Sequence, residues 1–172
     1  MSDTKTYEKY PPVFIKCTIT IQILLYVIGA SLIYQYEKLF VIFYIMLIFI
    51  LEIRLLRYIC INCYYYDKAC AFGRGKIATL LFKKGISERF KNKKITTKDI
   101  IPDFLVSIIP IIFGILLLFN KFNWFILAMI IFLLILAFPL SGFIRGKISC
   151  NFCMQRKIGC PAEQLFNKKK NA

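Results

Sequence analysis

The chain contains no histidine. That removes the commonest imidazole ligand of haem and catalytic metals, and the side chain that most often acts as a general base near neutral pH. Any chemistry must therefore run on Cys, carboxylate, Lys or Tyr. Acidic residues are also scarce, 9 Asp and Glu against 24 Lys and Arg, for a formal net charge of +15. Charge is missing altogether from long stretches. Segments 39–51 and 124–140 hold no charged residue, so neither can offer the polar face that a helix of a soluble bundle turns to water.

What is present is apolar surface: 59% of the 172 residues are hydrophobic and 16% aromatic. A hydrocarbon core about 30 Å thick is crossed by about 20 largely apolar residues. Segments 13–34, 39–58, 101–119 and 122–144 meet that length. The reversals 35–38 and 120–121 have room only for a tight turn, so the segments pair as two hairpins. The expected fold is an all-α integral membrane protein of four transmembrane helices. The first segment also has a signal-peptide reading, with Gly29, Ala30 and Ser31 at the processing site. Ile28 fits that reading poorly where a small residue is wanted. Lys38 and Lys121 are the only basic residues in the reversals; the other 22 of 24 lie in the N-terminal arm, the central loop, the tail or the adjoining span ends. The positive-inside rule then makes the termini cytoplasmic, in a multi-pass protein of the cell membrane. The lack of organelle-targeting and glycosylation signals favours a prokaryotic source.

A duplication runs through the chain. Cys60, Cys63 and Cys70 recur as Cys150, Cys153 and Cys160, each 90 residues on, and the same shift carries Pro12 to Pro102, Phe14 to Phe104 and Arg57 to Lys147. Each half is a helical hairpin followed by a cytoplasmic Cys-x2-Cys-x6-Cys segment and a short amphipathic stretch, 76–84 in one and 162–170 in the other. The expected organisation is one membrane domain over 1–172, with repeats 12–84 and 102–170 and a basic cytoplasmic linker 85–99. Both units enter from the same side. They are therefore parallel repeats about an axis normal to the membrane, which brings both cysteine clusters to one place.

Cytoplasmic thiols are kept reduced, so paired CxxC segments point to metal rather than to disulfides. Three arrangements compete: two zinc ions held by all six thiolates, one zinc held by the two CxxC pairs, or an iron–sulfur cluster. Thiols without metal are the fourth alternative. Six thiolates on two Zn²⁺ carry a net charge of about −2, which Arg57, Lys68, Lys147, Arg156 and Lys157 are placed to offset. The repeated spacing resembles the binuclear zinc cluster of fungal transcription factors, over the cysteine segments alone. That resemblance implies a coordination geometry for Cys60, Cys63, Cys70, Cys150, Cys153 and Cys160, and no DNA-reading role. The seventh thiol, Cys17, has Ser107 as its counterpart and is expected as a small buried residue of the first span.

The run from Cys60 to Lys76, with Tyr64, Tyr65 and Tyr66 following the CxxC pair, looks like a motif of small uncharacterised prokaryotic multi-pass membrane proteins. The resemblance implies architecture and no activity. The three tyrosines are expected as an interfacial aromatic belt. Gly73, Arg74, Gly75 and Lys76 open a short helix and are a weak candidate for anion or lipid binding. Glu52, Arg54, Asp103 and Arg145 are charges within or at the ends of spans, where charge is costly and functional by default. Glu52 and Arg54 do not share a helix face, so Arg145 is the expected partner of Glu52. The cations of 87–98 sit beside a bilayer and suit anionic lipids; no nucleic acid is expected. Together these features point to a non-enzymatic membrane protein that binds lipid or a cytoplasmic protein partner, its halves joined by a zinc–thiolate site. An iron–sulfur electron-transfer protein is the alternative, and a small transporter working through Glu52 a second one.

Overall fold

The computed structural model describes residues 6–91, 97–120 and 122–160. Among them the secondary structure is helical, with no strand; one isolated parallel bridge joins Tyr7 and Cys153. Helix α1 (Pro12–Tyr36) opens on a proline, whose missing N–H is no loss in a first turn. Glu37 alone separates it from α2 (Lys38–Tyr58), and its amide donates to Ile33 O at 3.0 Å. A 3₁₀ turn (Cys60–Asn62), α3 (Arg74–Leu81) and α4 (Ser87–Lys91) follow, then α5 (Thr97–Asn120) and α6 (Trp124–Ile135). The chain stays helical past α6 through a π segment (Leu136–Leu140), α7 (Ser141–Phe143) and a second π segment (Ile144–Cys150), before α8 (Met154–Ile158). Three helical runs, Pro12–Tyr36, Lys38–Asn62 and Trp124–Gly146, are long and apolar enough to cross a membrane, and Phe104–Asn120 is a shorter apolar helix. The amphipathic stretch expected at 162–170 lies outside the described residues, as do the side chains of Asp103 and Lys147.

The chain divides into two compact units. One is made of Thr20–Glu52 and Thr97–Gly142. Its interior is built from Leu25, Leu32 and Ile33 on α1, Tyr44 on α2, Val106 on α5, and Ile126, Ile130 and Leu133 on α6. On α6, spacings of four and three residues put Ile126, Ile130 and Leu133 on one stripe, and on α1 Leu32 and Ile33 fall two turns after Leu25. Large side chains cover the outside as well: Phe43, Phe49, Phe119 and Phe125 are exposed, and Trp124 is 75% exposed. A chain in water does not carry so much outward apolar surface.

Two prolines shape this unit. Pro110 has no N–H to give to Val106 O one turn back. The Tyr44 hydroxyl donates to that carbonyl instead, at 2.8 Å, so a group that apolar surroundings could not satisfy is paired. Pro139 lies within the first π segment, where Leu136 O accepts from the Ser141 amide and from Ser141 Oγ at 2.8 Å. Glycines set the closest approaches. A Cβ on Gly29 would stand 2.5 Å from Tyr44 Oη and 2.9 Å from Pro110 Cγ, and one on Gly114 would stand 2.8 Å from Ile130 Cγ1.

The other unit comprises Met1–Ile19, Ile53–Thr96 and Phe143–Ala172, and so contains both cysteine segments. Here one expectation is corrected. Cys17 is exposed. The inward position belongs to its neighbour Thr18, which is buried and donates to Ala71 O.

Gly29→Ala is expected to lower stability in detergent by about 1–3 kcal/mol through overpacking, because the new methyl meets the hydroxyl that serves Val106 O. In thermal denaturation, adding Tyr44→Phe should bring a loss smaller than the sum of the two single losses. Additive losses would show that Gly29 and Tyr44 do not share this contact.

Candidate functional site

The two cysteine segments repeat in backbone detail. The Cys63 amide donates to Cys60 O at 3.3 Å, and the Cys153 amide to Cys150 O at 3.3 Å. One turn on, the Tyr66 amide donates to Cys63 O and the Arg156 amide to Cys153 O, both at 3.1 Å. In each half the amide two residues beyond the second cysteine, of Tyr65 or of Gln155, also faces that cysteine's sulfur. An x-x spacing allows this, since the turn that reverses the chain leaves its next amides aimed at the sulfur. The third cysteine has a donor of its own: the Gly75 amide reaches Cys70 Sγ at 3.3 Å.

Burial pushes the Cys63 thiol up to about 12; the Tyr65 amide opposes the rise, and the nearby sulfurs of Cys153, Cys70 and Cys160 add to it. Cys153 is raised too, by burial first, with the Gln155 amide opposing and Cys160 adding. The sulfurs of the two halves thus act on one another, Cys153, Cys70 and Cys160 on Cys63, and Cys160 on Cys153. Cys60 and Cys150 begin the two turns, half-buried. Among the described residues no three Cys, Asp or Glu side chains converge closely enough to hold one ion. The donors suit a soft metal chemically, being thiols already served by amide donors, but as arranged they do not form a coordination shell.

The segments are held together by residues that the sequence marked for another role, Tyr65 among them, or did not mark at all. Tyr65 is buried; its hydroxyl donates to Tyr7 O and accepts from the Met154 amide at 3.0 Å. Tyr10 donates through its amide to Ala69 O at 2.9 Å and through its hydroxyl to Ser149 O. The Tyr7 amide donates to Phe152 O at 3.0 Å. Gln155, also buried, accepts from the Tyr64 amide at 2.7 Å. Tyr7, Phe72, Phe152 and Met154 pack around this core of Tyr10, Tyr65 and Ala71. The N-terminal arm thus bonds to both cysteine segments, and they bond to each other. Ser149 Oγ, beside Cys150, is the one buried side-chain polar atom among the described residues that has no hydrogen-bond partner.

Of the tyrosine triplet, Tyr65 is turned inward and so is no part of an interfacial belt, while Tyr64 and Tyr66 are half-buried. Tyr65 is an interior tie, Tyr66 donates to Phe82 O at 2.9 Å, and Lys68 lies 3.9 Å over the Tyr64 ring. The glycine turn also serves the cysteines: the Gly73 amide goes to Cys70 O at 3.0 Å and the Gly75 amide to Cys70 Sγ. Arg74 lies over the Phe72 ring, and Lys76 is exposed. A Cβ on Gly75 would fall 2.2 Å from Tyr65 O and 2.3 Å from Lys68 O, so that glycine lets α3 approach the loop. Of the span charges, Glu52 accepts from the Tyr26 hydroxyl at 2.7 Å, and the Gln22 amide donates to the same hydroxyl at 2.6 Å. Gln22 and Tyr26 stand one turn apart among apolar residues of α1, and that spacing was a signal in the sequence. Arg145 lies 5.7 Å over the Phe72 ring, and Arg54 is half-buried. Comparison with family models, curated proteins and solved structures finds no match to this chain.

Tyr65→Phe should destabilise the protein by about 1–3 kcal/mol, since it strands a part-buried carbonyl and a part-buried amide together. Tyr66→Phe, which releases one partner, is expected to cost less in the same denaturation series. Equal effects would show that Tyr65 does not bridge the segments. Gly75→Ala should cost at least as much as Tyr65→Phe, because backbone rather than a flexible side chain must move.

Proposed function

We propose that this chain is a multi-pass membrane protein of four spans, with cytoplasmic termini, whose two repeated halves share one cytoplasmic metal–thiolate site. The metal is zinc, and the role is that of a non-enzymatic scaffold that binds lipid or a cytoplasmic protein. The observation that carries this proposal is the matching pair of cysteine turns, alike in their hydrogen bonds and gathered in one compact unit with sulfurs from both halves as neighbours. The repeat has further support. The change from one unit to the other falls between Glu52 and Ile53 in one half and between Gly142 and Phe143 in the other, again 90 residues apart. Four spans follow if α5, whose apolar part includes Phe104–Asn120, crosses beside the three longer runs.

Bound structural zinc supplies folding free energy, roughly 10–16 kcal/mol in small zinc-finger peptides. Cys60, Cys63, Cys70, Cys150, Cys153 and Cys160 are the residues that would hold it, after their side chains turn inward from their present spread. Such a site would fix two hairpins that lipid alone associates weakly. Around it, Tyr65, Gln155 and the N-terminal arm hold the two backbones, and the amides of Tyr65, Gln155 and Gly75 favour the thiolate form of three ligands.

Elemental analysis of protein purified under reducing, anaerobic conditions tests this. About two zinc ions per chain are expected, the count a six-thiolate binuclear site implies. Cys70→Ser and Cys160→Ser should each lower that count, and Cys17→Ser should leave it unchanged. One zinc per chain, retained in both variants, would instead assign the site to the two CxxC pairs alone. Iron with acid-labile sulfide would replace the scaffold with electron transfer, and metal-free protein would remove the metal altogether.

A further inference from the structure

Helix α3 is inside out. Its small residues face the protein: Gly75 and Ala78 are buried, Ala78 completely. Its bulky residues face away, with Ile77 46%, Leu81 58% and Leu80 84% exposed. Positions 77, 80 and 81 lie three and four residues apart, so they form one stripe opposite the Gly75–Ala78 side. Ile86, beyond the helix, is exposed as well. A short surface helix that packed itself for water would bury the leucines and expose the glycine and alanine. Here the backbone contact at Gly75, close enough to exclude any Cβ, fixes the opposite choice. Both ends are tied as well, through the Gly75 amide on Cys70 Sγ and the Tyr66 hydroxyl on Phe82 O. The outward stripe is therefore held in place and not a consequence of a loose helix.

Two further observations indicate what covers it. Lys76 on the helix, and Lys83 and Lys84 directly after it, are all exposed. Basic residues beside an apolar stripe are complementary to an anionic leaflet, where the cations meet phosphate and the apolar side chains enter the acyl boundary. The helix also starts at a definite level on α1. A Cβ on Gly73 would contact Ile19 Cδ1 at 3.0 Å and Ile15 Cγ2 at 3.4 Å. Ile19 stands seven residues into α1, about 10 Å along the axis at the usual helical rise. With the start of α1 taken as the headgroup level, this puts α3 within reach of the boundary, where an interfacial helix buries its apolar face about 5–10 Å deep.

We infer that α3 is an interfacial membrane helix that seats Ile77, Leu80 and Leu81 in the boundary of an anionic lipid leaflet, with Lys76, Lys83 and Lys84 on its headgroups. This deepens the membrane reading above and rests on it. Through Gly75 and Cys70, the helix joins the lipid surface to the third cysteine of the first segment.

The chain has one tryptophan, Trp124, which makes a fluorescence test direct. Wild type and the Leu80→Trp/Trp124→Phe variant are reconstituted in phosphatidylcholine vesicles with and without phosphatidylglycerol, the acyl chains brominated at shallow or deep positions. In the variant we expect blue-shifted emission, quenched more by shallow than by deep bromine, with quenching that increases when phosphatidylglycerol is present. Replacing Lys76, Lys83 and Lys84 by Gln should abolish that increase. Emission at long wavelength, quenched by aqueous iodide and not by bromine, would place the stripe in water and overturn the inference. Blue emission insensitive to both quenchers would mean that protein covers it, a second copy or another chain, and would overturn it equally. Trp124 in wild type separates the two levels: bromine quenching there, with none at position 80, rejects the α3 assignment while the membrane reading stands. No quenching at either position rejects the membrane reading.

Discussion

A single phenol organises the cysteine-bearing unit. The Tyr65 hydroxyl donates to Tyr7 O and accepts from the Met154 amide, so one side chain satisfies backbone from two segments remote in sequence. Both partners lose much of their access to water once the aromatic residues close around them, and an amide or carbonyl shielded without a partner is expensive. The packing of Tyr10, Ala71, Phe72 and Phe152 thus presupposes the Tyr65 bonds, and those bonds fix the distance between the cysteine turns. The amide facing Cys63 Sγ is that of Tyr65 itself, and Met154, whose amide Tyr65 receives, follows Cys153 directly. The spacing of the two clusters and the environment of their sulfurs are in this way set by the same residue.

In the other unit the constraint is the same and the solution differs. Helices apolar on every side leave no water for stray backbone groups, so a proline must be answered locally. Tyr44 answers Pro110. At Pro139 the helix widens into a π segment, with the Ser141 hydroxyl on Leu136 O. Close packing at Gly29 and Gly114 then supplies dispersion contact that hydrophobicity cannot provide between surfaces already in an apolar medium.

The helices, their apolar character and the tight reversal at Glu37 were legible in the sequence, because long runs without a polar face admit few alternatives. The cysteine segments were legible by their repetition. What was not legible depends on direction. A helix apolar all round carries no periodic signal of which side faces inward, so the sequence points to a buried Cys17 where Thr18 holds that position. Glycine permits an anion cradle and a close backbone contact alike, and at Gly75 the contact is what the structure contains. Tyr7 and Tyr10 belong to a short arm with no periodicity, and their partners lie far along the chain; Tyr10 and Ser149 are 139 residues apart. Nothing local announces such a bond.

Convergence of the two cysteine segments within one chain is the feature on which the shared site depends most. Metal-free protein with Cys17→Ser, Cys60→Ser and Cys150→Ser keeps only Cys63, Cys70, Cys153 and Cys160, so mild oxidation followed by proteolysis and mass spectrometry reads which sulfurs can meet. The account predicts disulfides joining Cys63 or Cys70 to Cys153 or Cys160 within monomeric protein. Disulfides confined to Cys63–Cys70 and Cys153–Cys160, or formed only between chains, would contradict it.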